Sequence, residues 1–183
     1  MPKRTTSGAV EISVRPLEEK SFSPFGDVIM AYPSRMFYIN NGTTKRYHDL
    51  ADIQVRGTDA AFFFNIFRGN PFSIPIDIKM MERHPYGSQA FFPVNGCRFL
   101  VVVAEDQAGI PQKPQAFITK EGEGVNYRIG AWHHPLLALE KTSDFVVIDR
   151  AGQEKNLEEH FYDKIYKIKS LALNSRKHGG SPI

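Results

Sequence analysis

The chain has 183 residues, with 23 Lys and Arg against 20 Asp and Glu, for a net charge of +3. Its positive residues form short blocks such as Lys3-Arg4 and Arg176-Lys177-His178, too little for a nucleic-acid footprint. No apolar run reaches membrane-spanning length, the N-terminus lacks the apolar core of a signal peptide, and the single Cys97 excludes an intramolecular disulfide, so a cytoplasmic, membrane-free protein is expected.

This length suits one domain with a core of its own, and 14 Phe favour a β-rich interior. Residues 1–9 are polar and expected to be disordered. Residues 10–15 alternate as a half-buried strand, 17–22 form a short helical turn stopped by Pro24, and 27–30 form a strand. Residues 36–40 and 43–48 flank Asn41-Gly42 and read as a hairpin. On its return strand Thr44, Arg46 and His48 share a face. Residues 60–67 are almost continuously apolar and read as a buried strand. Residues 73–84 alternate through Ile74, Ile76, Ile78 and Met80, which puts Glu82 and His84 on that same apolar face. Further strands are expected at 89–94, 97–105, 116–119, 124–128, 135–141 and 144–149. A terminal helix is expected from Asn156, which can cap it with Glu159 in a capping box. Leu157, Phe161, Ile165 and Ile168 then make an apolar stripe for core packing or a subunit contact. The domain spans 10–171, and 172–183 is a flexible tail. Many short strands with frequent turns make the fold class all-β, a sandwich or barrel.

The stretch that carries chemistry is Glu82-Arg83-His84-Pro85-Tyr86-Gly87-Ser88-Gln89 and the residues up to Gly96. Glu82 and His84 sit two apart and face one way in a strand, and the Pro-Tyr-Gly turn can fold Gln89 back beside them. An unpaired charge on an inward face is costly, so an ion, a network or a function must offset it. A second stretch, Gly122-x5-Arg128-x-Gly130-x2-His133, supplies another imidazole. His133 and His134 are adjacent, so they face opposite ways, and the spacing selects His133 as the inward one. Glu82, His84, Gln89 and His133 offer oxygen and imidazole ligands for a divalent transition metal. The alternative is a metal-free polar pocket in which Glu82 and a histidine act as base and acid. Arg46 with His48 could bind a carboxylate, with Arg128 and Arg150 as competitors for that role.

These two stretches resemble the paired cupin motifs, with Glu82 where the first motif has His, Gln89 where it has an acid, Arg128 where the second has Pro and Leu137 where it has Asn. Beyond them, Phe25-Gly26-Asp27-Val28-Ile29, Tyr38-Ile39-Asn40-Asn41-Gly42, Arg46-Tyr47-His48-Asp49, Glu82-Arg83-His84-Pro85, Trp132-His133-His134-Pro135 and Asp144-Phe145-Val146-Val147-Ile148-Asp149-Arg150 are similar to the ureidoglycolate lyase family. The resemblance runs from about residue 12 to about residue 158. It implies a cupin-like double-stranded β-barrel, here with the C-terminal helix, a homodimer, and cleavage of (S)-ureidoglycolate to glyoxylate and urea in purine and allantoin breakdown.

Ureidoglycolate carries hydroxyl, carboxylate and ureido nitrogen on one carbon. Its cleavage needs a base for the hydroxyl proton, an acid for the leaving nitrogen and a partner for the carboxylate. Glu82, His84 and His133 are the catalytic candidates, with Glu82 or His133 as base. Arg46, His48, Gln89, Asn126 and Trp132 are the substrate-binding candidates. A different small-acid cupin enzyme, such as a metal-dependent isomerase, and a non-catalytic carboxylate-binding cupin are the competing readings.

Overall fold

Alternation organises nearly the whole backbone into strands. The computed structural model describes residues 8–171, so the expected tail and all but the last two residues of the expected N-terminal extension lie outside the described residues. The chain opens with β1 (Val10–Glu11), β2 (Val14–Pro16), the one-turn helix α1 (Glu19–Phe22) and β3 (Gly26–Ile29). The hairpin β4 (Met36–Ile39) and β5 (Thr44–Tyr47) follows, then β6 (Ala61–Gly69), β7 (Ile76–Arg83), β8 (Gln89–Pro93) and β9 (Phe99–Ala104). Next come β10 (Asp106–Gln107), β11 (Ile110–Pro111), β12 (Gln115–Ile118), β13 (Gly124–Tyr127), β14 (Trp132–His133) and β15 (Leu137–Ala138). The described chain closes with β16 (Ser143–Ala151) and β17 (Glu158–Ile168).

Two sheets face each other. One has eight strands, ordered β1-β17-β7-β14-β9-β12-β2 with β15 beside β9, and the other five, ordered β3-β13-β8-β16-β6. β1 and β2 stand at opposite ends of the first order, yet only Ile12 and Ser13 separate them. The sheet must therefore curl, and one N-terminal segment covers both its edges, parallel to β17 and parallel to β12. This is the expected all-β, cupin-like architecture. No helix among the described residues is long and apolar enough to cross a membrane.

β9 shows how the curl divides the core. All six of its residues are buried. Leu100, Val102 and Ala104 pack inside the curl with Ile78, Met81, Trp132 and Tyr166, whereas Phe99, Val101 and Val103 pack between the sheets with Phe91, Tyr127, Phe145 and Val147. Each fully buried side chain of this kind contributes about 1.5–3 kcal/mol, so β9 anchors both cores.

Three expectations are corrected. The C-terminal helix is absent: residues 158–168 form the antiparallel neighbour of β7. The supposed helical stripe is mostly solvent-facing, with Phe161 68% exposed, and the buried positions are Tyr166 and Ile168, joined by the partly buried Tyr162. Phe, Tyr and Ile suit a half-buried pleated surface, and β7 offered an edge to pair with. β6 is not buried. It is the outer strand of the five-stranded sheet, and Phe62, Phe64 and Ile66 are exposed. Finally, Glu82 does not share a face with Ile76 and Ile78. The register slips opposite a bulge between Phe161 and Tyr166, so Met81, not Met80, joins Ile76 and Ile78 in the curl. Glu82 is turned the other way, towards the space between the sheets.

Candidate functional site

The two motif stretches are clamped together at their glycines. Gly96, Gly122 and Gly130 have φ of 66°, 73° and 75°, the left-handed region that favours a residue without Cβ. The Gly122 N–H donates to the Gly96 carbonyl at 3.0 Å, and the Gly130 N–H donates to the His84 carbonyl at 2.9 Å. Three residues after Gly130, His133 on β14 is the Cα partner of Glu82 on β7, so their side chains share a face. Gln89 enters from the opposite sheet at the start of β8, in register with Tyr127 of β13. The Tyr127 ring stacks on the His133 imidazole, 4.2 Å between centroids and 9° from parallel.

Glu82, His84 and His133 each offer a ligand atom within 4.8 Å of the others, a grouping able to hold a metal ion. His133 Nε2 lies 3.6 Å from Glu82 Oε1 and 3.2 Å from Gln89 Oε1. The tautomers follow from the other ring nitrogens. His84 Nδ1 is 2.6 Å from the Asn156 carbonyl, and His133 Nδ1 is 2.9 Å from the Ala131 carbonyl. A carbonyl only accepts, so both Nδ1 atoms carry a proton, and each ring when neutral presents a lone pair at Nε2. His84 Nε2 is buried with no hydrogen-bond partner. Burial lowers the His133 pKa to about 3, which keeps its ring neutral. Burial also raises the Glu82 carboxyl, opposed by nearby His84. Imidazoles held by a carbonyl at the far nitrogen, with lone pairs converging beside a carboxylate, fit a divalent transition metal.

The cluster borders a cavity of about 560 Å³ whose lining includes Glu82 and Gln89, with Phe67, Phe72, Phe91 and Leu136 as apolar walls. Glu82, His84, Gln89 and His133 therefore come together as the spacing predicts. The other candidates are placed elsewhere. Arg46 lies 3.1 Å from His48 Nδ1 and against Phe37, on the β4–β5 hairpin, which forms a sheet of its own. Asn126 is buried on the outer side of β13, donating to Asp27 Oδ2 and to the Asp52 carbonyl. Trp132 packs inside the curl, and its indole N–H donates to Asp106 beneath the Arg83 guanidinium. Arg128 bonds the Ser23 carbonyl, and Arg150 bonds the Arg56 carbonyl and Glu154.

Sequence reasoning missed two neighbours of the cluster. Asp149 accepts from Asn65 Nδ2 at 3.0 Å, and burial raises its pKa, opposed by the nearby Gln89 side chain. The clue was available: Asp149 continues the inward face of Phe145 and Val147, where an acid needs partners. Asn156, expected as a helix cap, instead presents its carbonyl to His84 and its side-chain oxygen to the Tyr86 N–H.

Comparisons with known proteins point to one family. A family model described as ureidoglycolate lyase matches residues 9–169. A ureidoglycolate lyase of Brucella ovis is 56% identical over 160 residues, covering 87% of this chain and 95% of that protein. One of Rhizobium etli is 52% identical over 161 residues, covering 88% and 97%. A solved dTDP sugar isomerase of Desulfovibrio desulfuricans aligns with a TM-score of 0.41 at 12% identity, over 76% of this chain and 87% of that one. With the motif clamp, the facing histidines and a family match spanning almost every described residue, the chain belongs to the ureidoglycolate lyase family.

Proposed function

We propose that the protein is a carbon–nitrogen lyase that cleaves (S)-ureidoglycolate to glyoxylate and urea, as a cytoplasmic homodimer serving purine breakdown. The observation that carries this reading is the convergence of Glu82, His84, Gln89 and His133 in one cluster beside a cavity that Glu82 and Gln89 line, in a chain of this family. The hydroxyl and the ureido nitrogen sit on the same substrate carbon. One carboxylate can therefore take the hydroxyl proton as the carbonyl of glyoxylate forms, and return it to the nitrogen as the carbon–nitrogen bond breaks. We assign Glu82 to that role, since one of its oxygens faces His133 and the other is free to carry the proton. No nucleophile is needed.

Glu82, His84, Gln89 and His133 would hold a divalent transition metal. When bound, it supplies positive charge for the substrate carboxylate and for the oxygen that loses its proton. The lone pairs of His84 and His133 otherwise accept from the substrate's hydroxyl and ureido N–H groups. Arg46 and His48 are proposed for the carboxylate, on a hairpin that a second copy of the chain can bring over the cavity.

The test is release of urea and glyoxylate from racemic ureidoglycolate by purified protein, after chelation and after return of Mn²⁺, Ni²⁺ or Zn²⁺. Consumption of a single enantiomer is expected. Absence of both products from folded protein under every metal condition overturns the reading in favour of a carboxylate-binding cupin.

A further inference from the structure

We propose that the outer face of the five-stranded sheet, along β6 and β16, is where a second copy of this chain docks. The inference rests on the homodimer reading and names its surface. A strand covered on one face alternates apolar and polar residues, and one covered on both faces is apolar throughout. Residues 61–67 read Ala-Phe-Phe-Phe-Asn-Ile-Phe, close to the second pattern. The inner face of this strand meets the core, with Phe67 packed against Phe91. The other face carries Phe62, Phe64 and Ile66, which are 52%, 69% and 55% exposed. Strand pairing extends that face across the sheet. Ile66 lies opposite Val146, which lies opposite Phe92, and Phe64 lies opposite Ile148. β6 is also a sheet edge. It pairs with β16 along all nine residues without a bulge, and no Pro or charge interrupts it before Arg68. The devices that blunt a free edge are therefore missing.

A second copy is the occupant that the area and the charges fit. At about 150–250 Å² for a whole aromatic side chain, the exposed parts of Phe62, Phe64, Ile66, Phe92 and Val94 make an apolar patch of roughly 500 Å². A standard interface removes about 800 Å² per partner, a little over half of it apolar, so the patch supplies the centre of one. Ion pairs made within the chain close both ends of the patch, Arg68 with Asp144 and Arg150 with Glu154. Such a face meets its own two-fold image without like-charge repulsion. An anionic lipid surface would instead require unpaired cations around the patch. Residues 1–7 and 172–183, outside the described residues, bring only Met1, Ala172, Leu173 and Ile183 as aliphatic side chains, too few to cover it.

The same side of the sheet adjoins the hairpin proposed to reach a second cavity. Asn126 on the outer side of β13 donates to the Asp52 carbonyl, so the loop at Asp52 lies over that strand. Only residues 48–51 separate Asp52 from β5, which carries Arg46. β6 itself walls the cavity through Phe67, so a copy docked along its outer face stands beside the site.

The experiment is analytical ultracentrifugation of the purified full chain at micromolar concentrations. Wild type is compared with Phe64→Lys and Ile66→Lys. Phe161→Lys serves as the control, because Phe161 is 68% exposed on the other sheet. All three side chains lie outside the two cores, so the single chain should keep its fold, which circular dichroism checks. Wild type is expected as a dimer. Phe64→Lys and Ile66→Lys should each raise the dimer dissociation constant by roughly 30-fold or more, the scale of losing a central interface anchor. Phe161→Lys should leave it unaltered. A dimer that survives both outer-face substitutions, or dissolves only with Phe161→Lys, overturns the proposal and leaves the homodimer reading standing. A wild-type monomer overturns both, and its sedimentation with phosphatidylserine vesicles would assign the face to lipid. Urea release tests the lyase reading independently of these masses. Should the outer-face variants fail to fold, hydrogen–deuterium exchange of wild type decides. Slower exchange of residues 61–69 at high concentration than after dilution supports the proposal, and equal exchange overturns it.

Discussion

His133 Nε2 faces Gln89 Oε1 at 3.2 Å, although neither atom carries a proton. Contacts between two acceptors are unfavourable in a buried setting, where the effective dielectric is low. The pair becomes favourable only with a positive charge or a donor close by. That one relationship connects the fold, which brings β8 and β14 together from different sheets, to the chemistry proposed for the cavity.

Replacing His133 by Ala should lower the rate of urea release by roughly a hundredfold or more, the scale for losing a group that takes part in proton transfer or holds its partner. The ring also stacks on Tyr127, so the variant's melting temperature is to be measured alongside. Wild-type turnover by a folded His133→Ala protein would remove this residue from the site.

Removal of metal should destabilise the protein as well as inactivate it. A divalent ion present at a hundred times its dissociation constant adds about 2.7 kcal/mol to the folded state. Thermal melts before and after chelation should therefore differ, and Glu82→Ala should abolish the difference. Coincident melts for wild type with and without Mn²⁺, Ni²⁺ and Zn²⁺ would rule against a bound ion.

Arg46→Ala should raise KM and leave kcat nearly unchanged, the pattern of a contact made equally in the ground and transition states. Because Arg46 lies on a separate hairpin, the donor of that contact can be a second copy of the chain. Mixing Arg46→Ala with His133→Ala should then regain part of the activity through mixed dimers. An unchanged KM for Arg46→Ala would end the assignment.

Gly130→Ala should cost about 1–2 kcal/mol, the penalty for a Cβ in left-handed backbone. Nothing lies within 4 Å of the added atom, so the loss is conformational and not steric. Since the Gly130 N–H holds the His84 carbonyl, activity should fall further than stability. Urea denaturation paired with the activity assay separates the two, and an unaffected rate would detach the glycine clamp from the site.

Acid should weaken the loop that holds His84 in place. Glu154 accepts from the Thr58 N–H at 2.7 Å and pairs with Arg150; the Thr58 bond leads in pulling its carboxyl from 4.5 to about 2. The folded state thus favours the ionised form. Its contribution is complete above pH 4.5 and is lost as pH falls from there through about 2. Glu154→Gln should be less stable at neutral pH and lose less on acidification over that range. Parallel melting curves for both proteins between pH 5 and 2 would contradict this.

Local pattern was enough to read most strands and the core of the site. Alternation is a property of a few consecutive residues, and it marks strands wherever one face is buried. The Glu82-x-His84 and Gly130-x2-His133 spacings are equally local, so the convergence of those residues with Gln89 was legible in the chain. Three things were not. Residues 158–168 carry apolar side chains compatible with either period, and the edge of β7, some 80 positions earlier, settled them as a strand. The slip opposite the bulge in β17 reversed the face of Glu82, which no alternation within β7 could reveal. Asp149 and Asn156 reach the site across strand and loop pairings of 60 and 72 positions, from Gln89 and His84. Residue types fix what a side chain can donate or accept, but its partner depends on which distant strand packs beside it, and that is set only when the two sheets close.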